Sequence, residues 1–448
     1  MRLPNDLRSF VSTLKLGGLL PWQPTEELGH KHSWKSHIYP MIMSILAWIN
    51  FIRFITHVIW VPADSFKQML FSGLLSCYML SSALLRTLIS LANFKNQGLV
   101  RSIQKLQDLN CPMWEELKPH VEECRRNRSK IINFIHFFSW FFVICSLCFY
   151  LAMGLLRQPS MRLMYAPFSY LDNDDAQYLG VFFVCLLSLA NDTGAIFINT
   201  FILAYTIELA SKFDFITKWI EGRGIQRPVI SSEENQQTGP EIKPILEFDV
   251  ENIRMAHLFW YIRVKEFDKI ARLAITMSMS IGFLSLLINV YLIIWGNGEM
   301  TFSHAVWSCF GLFYLFLHLI GSSHLNKTAI DVTEAIFKVP TRMLFNQDNS
   351  MTNFNLLLFI GQCTSEPVAL TFLDLFYLRN ETVMAVSSIL DSLTNIVFLS
   401  IFFQVTGHSY NLFFNPDGFS KPGIENCDNP EQYHSNHHAT VNTLASSQ

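Results

Sequence analysis

The sequence predicts an all-α, polytopic membrane protein with seven transmembrane helices. Three observations carry that expectation. Half of the 448 residues are hydrophobic and only 15% are charged, where a soluble domain carries about 25% charged residues. With 39 phenylalanines and a mean hydropathy of +0.26, the chain has more apolar surface than soluble cores of this length hide from water. The apolar residues also gather into seven runs, each long enough to cross a bilayer, which takes about 20 residues of α-helix.

The runs are residues 38–61, 69–92, 131–156, 178–207, 272–295, 302–323 and 382–405. The first follows a mixed polar segment and is too long for the apolar stretch of a cleaved signal peptide. Flanking charge sets the orientation, because Lys and Arg are retained on the cytoplasmic side. Residues 1–37, 93–130, 208–272 and 324–381 together hold 27 Lys and Arg, whereas the alternate connections and the tail hold 4. The N-terminus is therefore expected in the cytoplasm and the C-terminus outside, the reverse of a G-protein-coupled receptor. The domain organisation follows: a cytoplasmic N-terminal segment, 1–37; a seven-helix transmembrane domain, 38–405; and an extracellular tail, 406–448, whose Asn, Ser, Pro and His content reads as disordered.

The connections differ by side. Residues 296–301 are barely a turn, so spans five and six form a hairpin. On the cytoplasmic side, helices are expected within 93–130, 205–272 and 324–381. Tyr205, Leu209, Phe213, Ile216 and Ile220 continue span four at helical spacing, and Ile253, His257, Trp260, Val264, Phe267 and Ala271 lead into span five. Between them, 222–240 is polar and punctuated by Gly and Pro, as in a flexible linker. Residues 326–340 and 354–378 offer two further amphipathic stretches, with Pro340 and Pro367 as breakers.

Several chemistries are excluded or unsupported. A net charge of −3 provides no basic field for nucleic acid. The nine cysteines lie mostly inside apolar runs and read as small core residues, with no disulfide or zinc framework. His57, His136, His318 and His324 do not converge as metal ligands, and His434, His437 and His438 fall in the polar tail, so no metal and no cofactor is expected. No Lys lies in any span, which removes a retinal Schiff base. Neither a phosphate-binding loop nor a nucleophile elbow occurs, so no enzyme activity is expected.

Seven spans, a cytoplasmic N-terminus, middle helices that continue into the cytoplasm and an apolar cytoplasmic helix before the last span together resemble the insect gustatory and odorant receptor superfamily. The local match runs through Phe372-Leu373-Asp374-Leu375-Phe376-Tyr377-Leu378, then Val386-Ser387-Ser388-Ile389-Leu390, then Thr394 to Phe402. There, insect gustatory receptors carry Thr-Tyr, five apolar residues and Gln-Phe. Thr394 and Phe402 hold two of those four signature positions, while Asn395 and Ile401 depart from them. Together with the long tail, that departure points to the nematode gustatory-receptor-like branch, which includes light- and hydrogen-peroxide-sensing proteins. The resemblance implies a tetrameric cation channel with the seventh span lining the pore.

Span seven carries a matching stripe. Ser388, Asp391, Asn395, Phe398 and Phe402 recur at three or four residues and share one helical face. A carboxylate at the cytoplasmic mouth would concentrate cations, and a ring of Phe398 or Phe402 would gate by dewetting. The plainer reading has Asp391 capping or pairing within one subunit and the Phe residues facing lipid. Asp192, near the middle of span four, and Arg53, in span one, stand at depths that could meet, as a ligand-site or gating pair or as a structural ion pair. Arg86, near the cytoplasmic end of span two, reads as snorkelling. Trp60, Trp295 and Trp307 sit near outer span ends, where interfacial belts place Trp routinely, and the alternative is an outer pocket that stacks a ligand or absorbs near-ultraviolet light. Cys77, Cys148, Cys185 and Cys309 are the thiols a peroxide sensor would draw on, although burial in apolar surface opposes that role.

The leading expectation is a sensory receptor of gustatory type that is itself a ligand-gated cation channel, in the cell membrane of sensory neurons. Its partners would be the lipid bilayer, further copies in a homotetramer or related receptors in a hetero-oligomer, and a small-molecule ligand that the sequence does not identify. One alternative is a receptor for ultraviolet or blue light and hydrogen peroxide that signals through partners. Another is a transporter, which would show inverted repeats or broken spans. No internal repeat is visible.

Overall fold

The computed structural model describes residues 5–22, 34–60, 66–96, 98–106, 114–156, 164–170, 173–224, 247–295, 301–338, 350–365, 367–373, 375–389 and 391–392, with backbone alone over 5–6, 114–127, 222–224, 247–249, 293–295, 301–310 and 350–352 and at 67, 96, 104, 170 and 376. The helices in chain order are α1 (Asn5–Leu16), α2 (Ile38–Trp60), α3 (Phe66–Asn96), α4 (Gly98–Lys105), α5 (Trp114–Leu155), α6 (Asp174–Gly224), α7 (Glu247–Trp295), α8 (Thr301–Lys338) and α9 (Ser350–Ser365). A two-stranded hairpin, β1 (Thr371–Phe372) and β2 (Phe376–Tyr377), follows α9, and a helical segment covers 380–389. The residues from 391 onward form a separate unit.

The long helices are built inside out by the standard of a soluble protein. Along α2, Ser44, Ala47 and Asn50 are buried, whereas Met41, Ile42, Ile45, Ile49 and Ile52 face outward. α5 repeats the arrangement, with Ser139 and Ser146 buried and Phe134, Phe137, Phe141 and Ile144 exposed. Lipid tails are as apolar as Leu, so nothing is gained by hiding Leu from them. Small inward residues instead let helix backbones approach and pack. Five stretches among the described residues are long and apolar enough to cross a membrane: Trp34–Trp60, Gln68–Lys95, Arg128–Leu155, Asp174–Glu221 and Val250–Leu292. They cover the first five apolar runs, apart from one residue at the end of the first and third and three at the end of the fifth. The sixth run lies in α8, partly over residues with backbone alone, and the seventh lies mostly outside the described residues.

α6 is the axis of the fold, packed against α2, α3, α5, α7 and α8. It has 51 residues and α7 has 49. At 1.5 Å per residue each is roughly 75 Å long, more than twice the hydrocarbon thickness, so both project well beyond the bilayer. The projecting ends of α6, α7 and α8 join α9 and continue the main core through Phe213, Trp219, Trp260, Phe267, Val332, Ile336 and Phe359. Tyr205 stacks on Phe267 there with ring centroids 3.9 Å apart. In this part water exclusion drives packing, at about 25 cal/mol per Å² of apolar surface.

Two segments differ from the sequence expectation. Within 1–37, α1 buries Leu7, Phe10, Val11 and Leu14 completely, on the i, i+3, i+4, i+7 spacing of one helical face. α1 ends at a left-handed Gly18 (φ 67°), where Leu19 N–H donates to Leu14 O at 2.8 Å and Gly18 N–H to Lys15 O at 3.0 Å, the bond pair of a glycine-terminated helix. The second difference is in 354–378, an amphipathic stretch with Pro367 as its expected breaker: the break is where it was expected, and the hairpin beyond it is new. The helix stops at Ser365 ahead of Pro367, and the chain turns into the hairpin, pairing Thr371 with Tyr377 and Phe372 with Phe376. Asp268 of α7 anchors the hairpin by accepting from both Thr371 N–H and Thr371 Oγ1, each at 2.8 Å.

Candidate functional site

At mid-run, five helices leave a narrow cleft between them. α3 supplies Leu74, Leu75 and Tyr78; α5 supplies Ser146 and Tyr150; α6 supplies Asp192 and Ile196; α7 supplies Ile281, Gly282 and Ser285; α8 supplies Gly311 and Tyr314. The walls are mostly apolar and the free space suits water-sized occupants. A second recess shares Tyr78, Ile281 and Tyr314 and continues past Ser81, Ser82, Asn199 and Ser278. The cleft exists because α7 and α8 cross at two glycines. A Cβ on Gly282 would stand 2.7 Å from Gly311 O, and one on Gly311 would stand 2.8 Å from Gly282 O, so side chains are absent where the backbones meet.

Asp192 is the charged group of this site and is 4% exposed. The Tyr78 hydroxyl donates to its Oδ1 at 2.7 Å, and the Ser146 hydroxyl donates to its Oδ2. The Tyr314 hydroxyl, also buried, makes no hydrogen bond of ordinary geometry. In the adjoining recess Asn199 is a hub. Its Oδ1 accepts from Ser278 Oγ at 2.8 Å and from His318 Nε2 at 2.9 Å, while its Nδ2 donates to Ala195 O at 2.7 Å. His318 is thus a core histidine, held through Nε2 while its buried Nδ1 makes no hydrogen bond among the described residues.

The two intramembrane arginines are placed differently from their sequence readings. Arg53 does not meet Asp192; its guanidinium donates to Ala166 O and to Asn50 Oδ1, the latter at 2.9 Å. Arg86 does not snorkel. It is completely buried, donating to Gly17 O, to Ala190 O at 2.5 Å and to Thr193 Oγ1 at 2.9 Å, so it ties the turn after α1 to α6. The physical reason is the same for both: a backbone carbonyl in a nearby turn, Ala166 O for Arg53 and Gly17 O for Arg86, accepts from the guanidinium without the long reach to the interface.

Of the remaining sequence candidates, Trp60 is 80% exposed at the end of α2 and lines neither the cleft nor the adjoining recess. The side chains of Trp295 and Trp307 lie outside the described residues, as does that of Cys309. Cys77 and Cys148 are exposed on the outward faces and Cys185 is buried. In the stripe of span seven, Ser388 and Asp391 are exposed, and Asn395, Phe398 and Phe402 lie outside the described residues. In the projecting bundle His257 stands edge-on between Phe213 and Phe359, with Cys363 Sγ 3.7 Å from its Nε2. Burial pushes that thiol up to about 12, so the pair is neutral and not an activated nucleophile. Among the described residues no group of three His, Cys, Asp or Glu converges as a metal site.

Sequence reasoning found Asp192 and missed the residues around it. Tyr78, Ser146, Tyr150, Ser285 and Tyr314 are ordinary residues within apolar runs. The available signal was that Gly282, Ser285 and Gly311 put small or hydroxyl residues at the middle of spans.

No family model matches the sequence, and no curated protein matches it. The structure does have solved counterparts. The insect olfactory receptor OR5 of Machilis hrabei in complex with eugenol superposes with a TM-score of 0.60 at 12% identity, over 88% of this chain and 97% of that one. A second structure of the same receptor gives 0.59 at 12% identity, over 89% and 96%. At this identity the likeness is one of fold, and nearly the whole receptor takes part in it: the chain is a multi-pass helical protein with the fold of insect olfactory receptor OR5.

Proposed function

We propose that the chain is a subunit of a ligand-gated cation channel, a sensory receptor of gustatory type within the insect gustatory and odorant receptor superfamily. A small molecule enters the five-helix cleft, and the seventh span lines the ion path. The observation that carries this reading is the cleft itself: a recess at the middle of five spans, with a buried carboxylate and three tyrosines among apolar walls, in a chain with the fold of an olfactory receptor. Intramembrane polar groups are costly and mark ligand or ion pathways. Several subunits bringing span seven to one axis would shelter the stripe of Ser388, Asp391, Asn395, Phe398 and Phe402. The exposed apolar residues Phe354, Leu357 and Leu358 of α9 supply a surface for contact between copies, as a homotetramer or with related receptors.

The test is membrane current in cells expressing this chain alone, under a panel of tastants, hydrogen peroxide and ultraviolet light. An agonist-evoked cation current is expected. Tyr314→Ala should raise the half-maximal agonist concentration about tenfold or more, the cost of one lost aromatic contact. Asp391→Asn should lower single-channel conductance, most at low ionic strength, and leave the agonist dependence unchanged. If both variants reach the surface and behave as the parent does, the cleft and span seven are not the ligand and ion paths. A response to light or peroxide that needs a second protein would favour the partner-coupled alternative.

A further inference from the structure

We infer that the cleft binds a small protonated amine, its ammonium paired with the Asp192 carboxylate and its alkyl part against Leu74, Leu75, Ile196 and Ile281. The inference rests on the cleft being the ligand site proposed above and adds the chemical class of the ligand.

The argument begins from a comparison of buried carboxylates. Glu208 and Asp268 are each 2% exposed, and each has a cation: Glu208 is bridged by Arg128 at 2.9 Å and Lys212 at 2.8 Å, and Asp268 by Arg272 at 3.1 Å. Asp192 is buried to the same degree, yet among the described residues no Lys, Arg or His forms an ion pair with it. The two intramembrane guanidiniums are committed elsewhere, Arg53 to Ala166 O and Asn50, Arg86 to Gly17 O, Ala190 O and Thr193. Removing a carboxylate from water costs several kcal/mol unless a counter-charge repays it. The hydroxyls of Tyr78 and Ser146 satisfy its lone pairs but bring no charge. An Asn would accept from only one of the two hydroxyls, through its Oδ1, whereas the Asp accepts from both; what the hydroxyls leave uncompensated is the charge.

Asp192 is also the buried carboxylate that lines a cavity, so the missing counter-charge can come from outside the chain. The surroundings select its chemistry. Tyr78, Tyr150 and Tyr314 border the same cleft and offer aromatic rings, whose faces attract ammonium groups. Beside the Ser146 and Ser285 hydroxyls, the remaining side chains, Leu74, Leu75, Ile196 and Ile281, suit a short alkyl chain. Size is limited by the α7–α8 crossing, where the Gly282 and Gly311 backbones leave no slack, and by free space that is water-sized, so a ligand of only a few heavy atoms enters, and it does so by displacing the Leu74 and Leu75 side chains. Proton balance is simple. A neutral amine that crosses the bilayer and takes the proton of a carboxylic acid, or an ammonium that meets a carboxylate, yields the same net-neutral pair.

The experiment measures binding without relying on current. Thermal unfolding of the purified protein in lipid nanodiscs is followed with n-propylamine, 1-propanol or sodium chloride at equal ionic strength, for the parent, Asp192→Asn and Asp192→Glu. Propylamine is expected to raise the parent's unfolding temperature in a saturable way while 1-propanol and sodium do not. Asp192→Asn should lose about 30-fold or more of the affinity, and Asp192→Glu should retain part of it. If a variant does not fold, the contrast between amine and alcohol on the parent decides. Equal stabilisation by 1-propanol or sodium, no stabilisation by propylamine, or full binding in Asp192→Asn would each overturn the inference. Amine binding without any evoked current would uphold it and overturn the channel reading. A current evoked by neutral tastants alone, with no amine binding, would do the reverse.

Discussion

Arg86 shows how a single side chain holds a segment that has no covalent reason to stay. Its fully buried guanidinium reaches three acceptors on two elements: Gly17 O in the turn after α1, and Ala190 O and Thr193 Oγ1 on α6. Asn93 adds a bond from its Nδ2 to Leu19 O at 2.9 Å. A planar fork serves separated acceptors at once, which the point charge of a lysine does not. Arg86→Leu is therefore expected to destabilise the protein by about 3 kcal/mol or more, since hydrogen bonds to charged groups contribute roughly 1.5–3 kcal/mol each and the Gly17 carbonyl would be left buried and bare. Arg86→Lys should recover only part of the loss. Thermal unfolding in detergent and the fraction of monodisperse protein read this out, and parent-like behaviour of both variants would mean that α1 is held by its apolar face alone. The residue was conspicuous in the sequence as a charge inside span two. Its partners were not, because they are backbone carbonyls, which every residue has.

Among the elements, the α7–α8 pair sets the shape of the cleft. Their backbones touch at Gly282 and Gly311, which are neighbours in space and 29 positions apart in the chain. Gly311→Ala would place a Cβ 2.8 Å from the Gly282 carbonyl oxygen, a backbone atom that cannot rotate away. The helices must separate by several tenths of an ångström. We expect a lower unfolding temperature, a loss of about 1–3 kcal/mol by the usual cost of overpacking, and a weakened agonist response at normal surface expression. An unchanged unfolding temperature would show that the crossing is slack. Helix existence was legible from 3.6-residue periodicity: α6 and α7 extend beyond their spans as Phe213, Ile216, Trp260 and Phe267 foretold. The hairpin was not. Phe372, Phe376 and Tyr377 read equally well as a helical face, and the turn depends on Asp268, more than a hundred residues earlier, to hold Thr371.

At the scale of the whole molecule, the charge asymmetry makes a claim about sidedness. An epitope after Ser447 is expected to label on intact cells, and one inserted within 228–240 only after permeabilisation, because 27 Lys and Arg flank one side of the runs and 4 the other. The opposite labelling would reverse the orientation and remove the reading of Asp391 as a cytoplasmic mouth. The number and position of apolar runs, their helical form and the presence of an unusual acid in span four all came from the sequence, because transfer from water to lipid is nearly additive along a helix and each window of about 20 residues can be judged alone. Which runs become neighbours is a different kind of information. Tyr78 meets Asp192 across 114 positions, and Ser146 meets it across 46. Inside lipid those meetings are decided by the fit of small-residue faces around α6, not by hydropathy, which is similarly high in each of the five membrane-length stretches. The tertiary structure alone therefore decided that Arg53 would not pair with Asp192, that Arg86 would be buried, and that the acid of span four would face a cleft with no Lys, Arg or His among its described lining residues.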